Sequence, residues 1–303
     1  MRGVLAAGAC GRLLRWWRSV ADAAAHNYLA RPPTHSEEGD SALDYLVICF
    51  VALAASGLTL FSGFGLGTLL MPAFALFFPL PVAIAATAIV HLANNLFKLA
   101  LVGANADRGV VLRFSIPAAL AALLGAGTLL LFATFDPVLE YRLFERSFTI
   151  TPIKFIIGLL IMVFAVLELS PRFAALALPQ RYLPLGGLLS GFFGGLSGNQ
   201  GALRSAFLIK AGLSKEAFVA TGVVSAVIVD TVRITVYGAS FFATRFATLP
   251  GDALGLVAAA SLSAFLGAFI GSRLLKKITL RTVQLVVAVG MIGVGLGLAA
   301  GWL

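Results

Sequence analysis

The sequence is poor in the residues from which metal sites, disulfides and nucleotide sites are made. Its 303 residues include two cysteines and three histidines. Cys10 lies in a polar arm and Cys49 in a hydrophobic segment, so we expect no disulfide between them. The chain also has no GxxxxGK[ST] phosphate loop, no HExxH and no Cys/His spacing typical of a metal site. We therefore predict neither a metal nor another cofactor, and no ATP-driven transport by this chain alone.

Charge is scarce as well, and hydrophobic residues take its place. Charged residues make up 12% of the chain and hydrophobic residues 60%, and the mean hydropathy is +0.99. A soluble domain is about half apolar, so the composition predicts an integral membrane protein. The net charge of +9 does not indicate nucleic-acid binding, because the hydrophobic runs leave no continuous basic face. We interpret the cations as signals of membrane topology.

Hydrophobic segments divided by proline, glycine or charge predict eight membrane elements. They lie at about residues 44–78, 81–103, 110–135, 152–169, 184–212, 214–238, 251–275 and 281–303. Most are close to the ~20 residues that cross a bilayer as a helix. As straight helices the first and fifth would be about 52 and 44 Å long, against a hydrocarbon core of about 30 Å. We expect both to break at their glycine-rich stretches, Gly63–Gly67 and Gly194–Gly201.

The eight segments form two sets of four that align as an internal duplication. The alignment places Gly67 on Gly201, Thr87 on Thr221 and, after a one-residue slip, Asn95 on Asp230, Lys98 on Arg233 and Gly103 on Gly238. Duplicated membrane units with polar residues at matching depth are typical of secondary transporters. We therefore predict an all-α integral membrane protein with a first repeat at residues 44–169 and a second at residues 184–303.

Residues 1–43 form a basic N-terminal extension. Arginines alternate there with apolar residues around Trp16 and Trp17, which is typical of a short helix lying on anionic lipid. A disordered basic tail is the alternative. A cleaved signal peptide is not expected, because no uninterrupted apolar core leads to a small-residue cleavage site.

The loop cations bear on whether the two repeats are inverted. If all eight segments cross with the N-terminus inside, ten Lys and Arg residues lie in inside loops and eight in outside loops. If the fifth segment instead enters the membrane and returns, the count becomes fourteen inside and four outside, which agrees better with the positive-inside rule. The second interpretation predicts inverted repeats. It is a hypothesis, because strict symmetry would also place the arginine-rich N-terminus outside.

Polar side chains recur at helical spacing in the second and sixth hydrophobic segments. The second segment carries Thr87, His91, Asn94, Asn95 and Lys98, and the sixth carries Asp230, Arg233 and Tyr237. A charged side chain near the middle of a membrane costs a few kcal/mol, so these stripes should face a cavity or a partner. The alternative is an internal ion pair between Asp230 and Arg233 that serves no ligand.

The glycine breaks predict a site for an anion. A helix that starts after such a break presents free N–H groups and the positive end of its dipole. The candidate residues are Gly65, Gly67 and Thr68 at the first break, Gly198, Asn199, Gln200, Gly201 and Arg204 at the second, and Asn94, Asn95, Lys98 and Arg233 on the neighbouring helices. In this pocket the cations would hold the substrate's charge and the amides would donate hydrogen bonds. Close helix packing is the alternative role for the glycines.

His91 and Asp230 are the candidates for proton coupling. His91 is the one histidine inside a hydrophobic segment, and imidazole changes charge near neutral pH. Asp230 is the one carboxylate among the pocket residues. A hydrogen-bonded structural histidine is the alternative interpretation.

The two glycine-rich motifs resemble those of the sulfite exporter TauE/SafE family, also grouped as toluene-sulfonate uptake permeases. The first copy reads GFGLGTLLMP followed by AIAATA, and the second reads GLSGNQGALRSAF followed by AFVATG. The resemblance covers about residues 45–303. The second copy departs from the family pattern, with Asn199 and Gln200 in place of glycines and Ala206 at the position of Pro72. The resemblance implies small sulfur-containing anions as substrates, and a homodimer.

Together these patterns predict a transporter and not an enzyme. We expect a multi-pass protein of the bacterial inner membrane that exports sulfite or an organosulfonate by alternating access, with proton coupling as a hypothesis. Three alternatives stay open: a passive anion channel, a membrane-embedded enzyme that uses His91 and Asp230 as acid and base, and a non-transporting scaffold whose polar residues hold helices together. The duplicated polar positions argue against the enzyme and the scaffold, because they suit one central site.

Overall fold

The computed structural model describes residues 41–59, 66–78, 80–143, 146–170, 172, 176, 178–238, 253–274 and 280–303. The basic extension predicted at residues 1–43 lies outside this part of the chain except for its last three residues. Residues 63–65 of the first glycine break, Gly65 among them, also lie outside it, whereas Leu66 and Gly67 are described.

The described chain is mostly helical. In chain order the helices are α1 (Ser41–Thr59), α2 (Leu66–Ala75), α3 (Leu80–Val102), α4 (Arg108–Phe132), α5 (Pro152–Leu169), α6 (Leu183–Ser197), α7 (Gly201–Leu208), α8 (Lys215–Tyr237), α9 (Ala253–Leu274) and α10 (Leu280–Ala299). Short 3-10 turns at Gly103–Asn105 and Gln180–Tyr182 precede α4 and α6. Side-chain caps start several helices: Asp107 accepts from the N–H of Val110 before α4, and Ser214 accepts from that of Ala217 before α8.

Four described helices are long and apolar enough to cross a membrane. These spans are Leu80–Asn105, Arg108–Phe132, Pro152–Leu169 and Lys215–Tyr237, and shorter apolar helices lie at Ala42–Gly57, Leu254–Ile270 and Ala288–Ala299. Leucine, isoleucine and phenylalanine side chains on the outer faces of α4 and α5 are exposed, as expected of surfaces that meet lipid. The expectation of a mostly helical, multi-pass membrane protein is confirmed.

A β-hairpin between α4 and α5 was not expected from the sequence. Strand β1 (Leu139–Leu143) pairs antiparallel with β2 (Arg146–Ile150), with Leu139 opposite Ile150. An isolated two-stranded hairpin is marginal in water, and this one is held by the residues after α10. The hydroxyl of Tyr141 donates to the carbonyl of Ala300 at 2.6 Å and accepts from Trp302 Nε1 at 2.8 Å. The hairpin and the end of α10 therefore lie on the same face of the molecule.

Small residues let the main helix pairs approach closely. On α6, Gly187, Gly191 and Gly195 recur every four residues and face Ala118 and Ala122 of α4. A Cβ added at Gly191 would lie 2.6 Å from the Cα of Ala118. Stripes of small residues are typical of helix contacts in membranes. Since Gly187 meets Phe114 and Gly195 meets Ala122, α4 and α6 run parallel.

Two further helix pairs pack through glycine, α1 with α9 and α5 with α10. A Cβ added at Gly158 of α5 would lie 2.9 Å from the nitrogen of Ala299, and one at Gly295 would lie 2.7 Å from Met162 Cγ. Since 158 meets 299 and 162 meets 295, α5 and α10 are antiparallel. A hydrophobic core drawn from both halves of the chain surrounds these contacts.

The fifth hydrophobic segment forms two helices that fold back on each other. Helix α6 ends at Ser197, where Gly198 adopts a left-handed conformation with φ +84° that favours glycine. Helix α7 begins at Gly201 and returns along α6: Ser190 donates to the carbonyl of Gln200, and Gln180 Nε2 donates to that of Ala211. The start of α6 and the end of α7 therefore lie on the same face of the molecule, and the turn between them lies inside it.

Candidate functional site

Asp230 of α8 is the centre of a buried polar cluster. Its Oδ1 accepts from Gln200 Nε2 at 3.0 Å and from Arg233 Nε at 3.0 Å, while Oδ2 lies 2.6 Å from His91 Nδ1. Asp230 and Arg233 are both 0% exposed. A buried carboxylate requires such partners, because an unpaired charge in a low-dielectric interior is strongly unfavourable. The cluster joins α3, α8 and the turn after α6.

Arg233 lies one turn after Asp230 and contacts both the carboxylate of Asp230 and a backbone carbonyl of α6. Its Nη2 is 2.9 Å from Asp230 Oδ1, and its Nη1 donates to the carbonyl of Gly194 at 3.3 Å. A Cβ added at Gly198 would lie 2.8 Å from Nη1. The guanidinium therefore fills the space beside Gly198. A larger residue at position 198 would occupy that space instead.

Gln200 connects this ion pair to the start of α7. Its amide nitrogen donates to Asp230, and its Oε1 accepts from Arg204 Nη1 at 3.4 Å. It stands at the N-cap of α7 but makes no side-chain cap bond there. The first N–H groups of α7 are thus not capped by that side chain, while Arg204 adds a positive charge within the first turn.

The first glycine motif meets the second at this cluster. A Cβ added at Gly67, near the start of α2, would lie 3.2 Å from the carbonyl oxygen of Gly198 and 3.7 Å from His91 Cδ2. Asn95 donates to the backbone carbonyl of His91 at 2.9 Å and lies 3.1 Å from its Nδ1. The two glycine-rich motifs, which lie far apart in the sequence, are therefore brought to one place.

Lys98 and Arg204 supply two further positive charges near the cluster. Lys98 is 9% exposed, interacts electrostatically with Arg204, and has no hydrogen-bond or ion-pair partner among the described residues. Arg204 in turn interacts electrostatically with Asp230. Three cations, Lys98, Arg204 and Arg233, thus share this region with one carboxylate, Asp230.

Several predicted residues stand apart from the Asp230 cluster. Asn94 faces α1, where its Oδ1 accepts from Ser56 at 3.2 Å. Asn199 is 4% exposed, and neither polar atom of its side chain has a described hydrogen-bond partner. Gly201 provides the first residue of α7. The side chain of Thr68, like all of Gly65, lies outside the part of the chain that the structure describes.

Two residues of the cluster were not predicted as site residues. The hydroxyl of Tyr237 donates to the carbonyl of Gly195, and that of Ser190 donates to the carbonyl of Gln200. Tyr237 shares a helix face with Asp230 and Arg233, so its position could be predicted from helical spacing. Its hydrogen-bond partner, a backbone carbonyl at the end of α6, could not be predicted.

Metal ligation has no support in the described part of the chain. No three His, Cys, Asp or Glu side chains come together there in a way that would hold a metal ion. The donor set of the cluster consists instead of guanidinium, imidazole, amide and one carboxylate, a combination suited to binding oxyanions through charge-assisted hydrogen bonds.

Comparison with known proteins identifies a family. The family model described as sulfite exporter TauE/SafE matches residues 48–298, which is most of the chain and includes every residue of the cluster. This confirms the resemblance drawn from the motifs. Neither the curated proteins nor the solved structures contain a match to this chain.

Proposed function

This chain belongs to the sulfite exporter TauE/SafE family, and from that premise we propose that it is a secondary transporter that exports sulfite or an organosulfonate across the bacterial inner membrane. The family is one of membrane transporters for sulfur-containing anions, which argues against an enzyme. A homodimer stays a prediction from the family resemblance.

The environment of Lys98 is the observation that carries this proposal. Lys98 is a buried ammonium that has no hydrogen-bond or ion-pair partner among the described residues and lies beside Arg204. Unpaired charge inside a membrane protein is costly and marks ion pathways. A small oxyanion bound there would neutralise it. The start of α7, with Gly201 and the unpartnered amide of Asn199, supplies further donors for oxygen atoms.

Inverted repeats are the proposed basis of alternating access, and the directions of equivalent helices support them. Thr221, near the start of α8, accepts from the backbone N–H of Asp107, just past the end of α3, while His91 meets Asp230. Helices α3 and α8 are therefore antiparallel, as are α5 and α10. Equivalent helices that point in opposite directions are what an inverted duplication requires.

Matching helix–helix contacts between the two halves of the chain support the same proposal. Helix α6 packs on α4, and its equivalent α1 packs on α9, the equivalent of α4. Helix α8 also contacts α4, and its equivalent α3 contacts α9. A two-fold axis in the membrane plane would relate each contact to the other. Rocking of one repeat against the other would then expose the site to each side in turn.

In this arrangement the loops divide between two faces of the molecule. The hairpin and the end of α10 lie on one face, and the starts of α4, α6 and α8 lie on the other. Among residues near helix ends whose side chains the structure describes, six cations (Arg108, Arg113, Arg172, Arg181, Lys210 and Lys215) are on the second face and two (Arg142 and Lys154) are on the first. By the positive-inside rule the second face is cytoplasmic.

Cysteine labelling tests the topology. In a background with Cys10 and Cys49 replaced by serine, a membrane-impermeant maleimide should label Arg142→Cys in intact cells and Lys210→Cys only after permeabilisation. Labelling of both positions from the same side would contradict the inverted arrangement, because an even number of crossings would then separate them.

Proton coupling is proposed to act through His91 and Asp230. Their hydrogen bond joins α3 to α8 across the proposed two-fold axis. Gain or loss of a proton there would change the contact that holds the two repeats together. His91→Gln should keep counterflow of the anion but lose acceleration by a pH gradient. Full gradient dependence in this variant would remove His91 from the coupling.

Counterflow into proteoliposomes tests the function itself. Vesicles preloaded with unlabelled sulfite should take up labelled sulfite, and taurine or other sulfonates should compete while acetate should not. The same vesicles with and without a pH gradient report coupling. Conductance far above carrier rates would indicate a channel. No exchange of any sulfur oxyanion, from protein shown to be folded, would overturn the proposed function.

A further inference from the structure

We infer that Arg233 and Tyr237 are positioning residues that hold the end of α6, and that Lys98 is the residue that binds the charge of the transported anion. This inference rests on the proposed transport function. The sequence groups Lys98 and Arg233 together as anion-binding cations, and this inference gives them two different roles.

The end of α6 presents backbone carbonyls in the interior of a membrane protein. The last four carbonyls of a helix have no partner within it, and lipid offers none. The N–H of Gly198 donates to Gly194, as does Arg233 Nη1 at 3.3 Å, and the hydroxyl of Tyr237 donates to Gly195. Arg233 and Tyr237 are one turn apart on α8, so one helix face caps both carbonyls.

Arg233 is already held by groups of the protein. Its Nε donates to Asp230 and its Nη1 to Gly194, while its Nη2 lies 2.9 Å from Asp230 Oδ1 without a hydrogen bond to any described residue. Its side chain is 0% exposed. An ion that bound this guanidinium would have to displace the carboxylate, and the end of α6 would lose part of its cap. The guanidinium fork suits this multiple contact in a way that a lysine ammonium does not.

Lys98 stands at the matching position of the duplication and has a different environment. It aligns with Arg233 after the one-residue slip, yet no described residue gives it a hydrogen bond or an ion pair. It is 9% exposed, whereas Arg233 is fully enclosed. An ammonium without a carboxylate partner, beside a second cation, is the more available binding group for an anion.

Transport kinetics separate the two roles. Lys98→Gln should raise the KM for sulfite at least tenfold, and Lys98→Arg, which restores the charge, should recover most of it. Tyr237→Phe and Arg233→Lys should leave KM within about twofold and lower the maximal rate, because they disturb the α6 end and not the bound ion. An equal rise in KM for Arg233→Lys and Lys98→Gln would overturn the assignment.

Accessibility of the α6 end gives a measurement that does not need transport. In the background without Cys10 and Cys49, Ser197→Cys should react slowly with a small maleimide, because Ser197 is buried. Adding Tyr237→Phe or Arg233→Lys should accelerate the reaction at least threefold, while Lys98→Gln should not. Unchanged labelling with both Tyr237→Phe and Arg233→Lys would overturn the positioning role even if the protein transports no sulfite. Failure of wild-type counterflow with accelerated labelling would contradict only the proposed function and the role of Lys98.

Discussion

Replacing Asp230 by asparagine tests the charge balance of the cluster directly. The carboxylate accepts from Gln200 and Arg233 on Oδ1 and lies 2.6 Å from His91 on Oδ2. Asparagine keeps the shape and one acceptor oxygen but removes the charge that faces the buried guanidinium. Arg233 would then carry an uncompensated charge in a fully enclosed position.

The expected magnitude follows from the asymmetry of buried ion pairs. Removing one partner of such a pair costs about 3–5 kcal/mol, whereas replacing both partners by neutral groups is often close to neutral. We therefore expect Asp230→Asn and Arg233→Gln each to lower the free energy of unfolding by about 3–5 kcal/mol. The double variant should lose far less than the sum, with a coupling energy of about 3 kcal/mol.

Unfolding in mixed micelles of dodecyl maltoside and increasing SDS measures this cycle. Asp136→Asn is the matched control, because it makes the same chemical change at an exposed position and should shift stability by less than about 0.5 kcal/mol. Additive losses in the double variant would refute the argument, since they would mean that Asp230 and Arg233 stabilise the fold independently.

Three further variants test the packing and the hairpin. Gly191→Ala places a Cβ 2.6 Å from the Cα of Ala118 and should cost about 1–3 kcal/mol or more through overpacking. Gly293→Ala, where an added Cβ meets nothing within 4 Å, should be neutral or stabilising by up to about 1 kcal/mol in the same unfolding assay. Tyr141→Phe removes the acceptor for Trp302 and should cost about 1 kcal/mol. We expect faster quenching of Trp302 by acrylamide, in a background with the other tryptophans replaced, because Trp302 is released from the hairpin. Unchanged quenching would contradict this prediction.

The length of the hydrophobic runs predicted most of the fold, because few structures satisfy all backbone hydrogen bonds inside a bilayer. Segment limits such as 81–103 and 214–238 fall within two residues of α3 and α8. The hairpin was missed because its strands have five residues each and because its stability depends on Ala300 and Trp302, more than 150 residues away. Local sequence carries no sign of that contact.

The candidate site was predictable in its members more than in their roles. Helical spacing placed Asp230 and Arg233 together, and the two glycine-rich motifs meet where Gly67 lies against Gly198. Asn94 shares the stripe of His91 and Asn95 but hydrogen-bonds to α1 instead. A period of 3.6 residues identifies a helix face, but it cannot say which neighbour lies against each part of that face.

The same constraint that makes membrane folds predictable makes their polar residues ambiguous. A polar side chain inside a bilayer can serve a transported ion, or it can satisfy a backbone group that the fold itself has left without a partner. At the end of α6, Arg233 and Tyr237 donate to backbone carbonyls of the last helical turn, which is the second of these roles. The positive charge of Arg233 is therefore not evidence that an anion binds there. What remains after the internal partners are counted is the positive charge of Lys98, which lies beside Arg204 and has no hydrogen-bond or ion-pair partner among the described residues. The balance of charge, rather than polarity at depth, is therefore the feature of this molecule that argues for an anionic substrate.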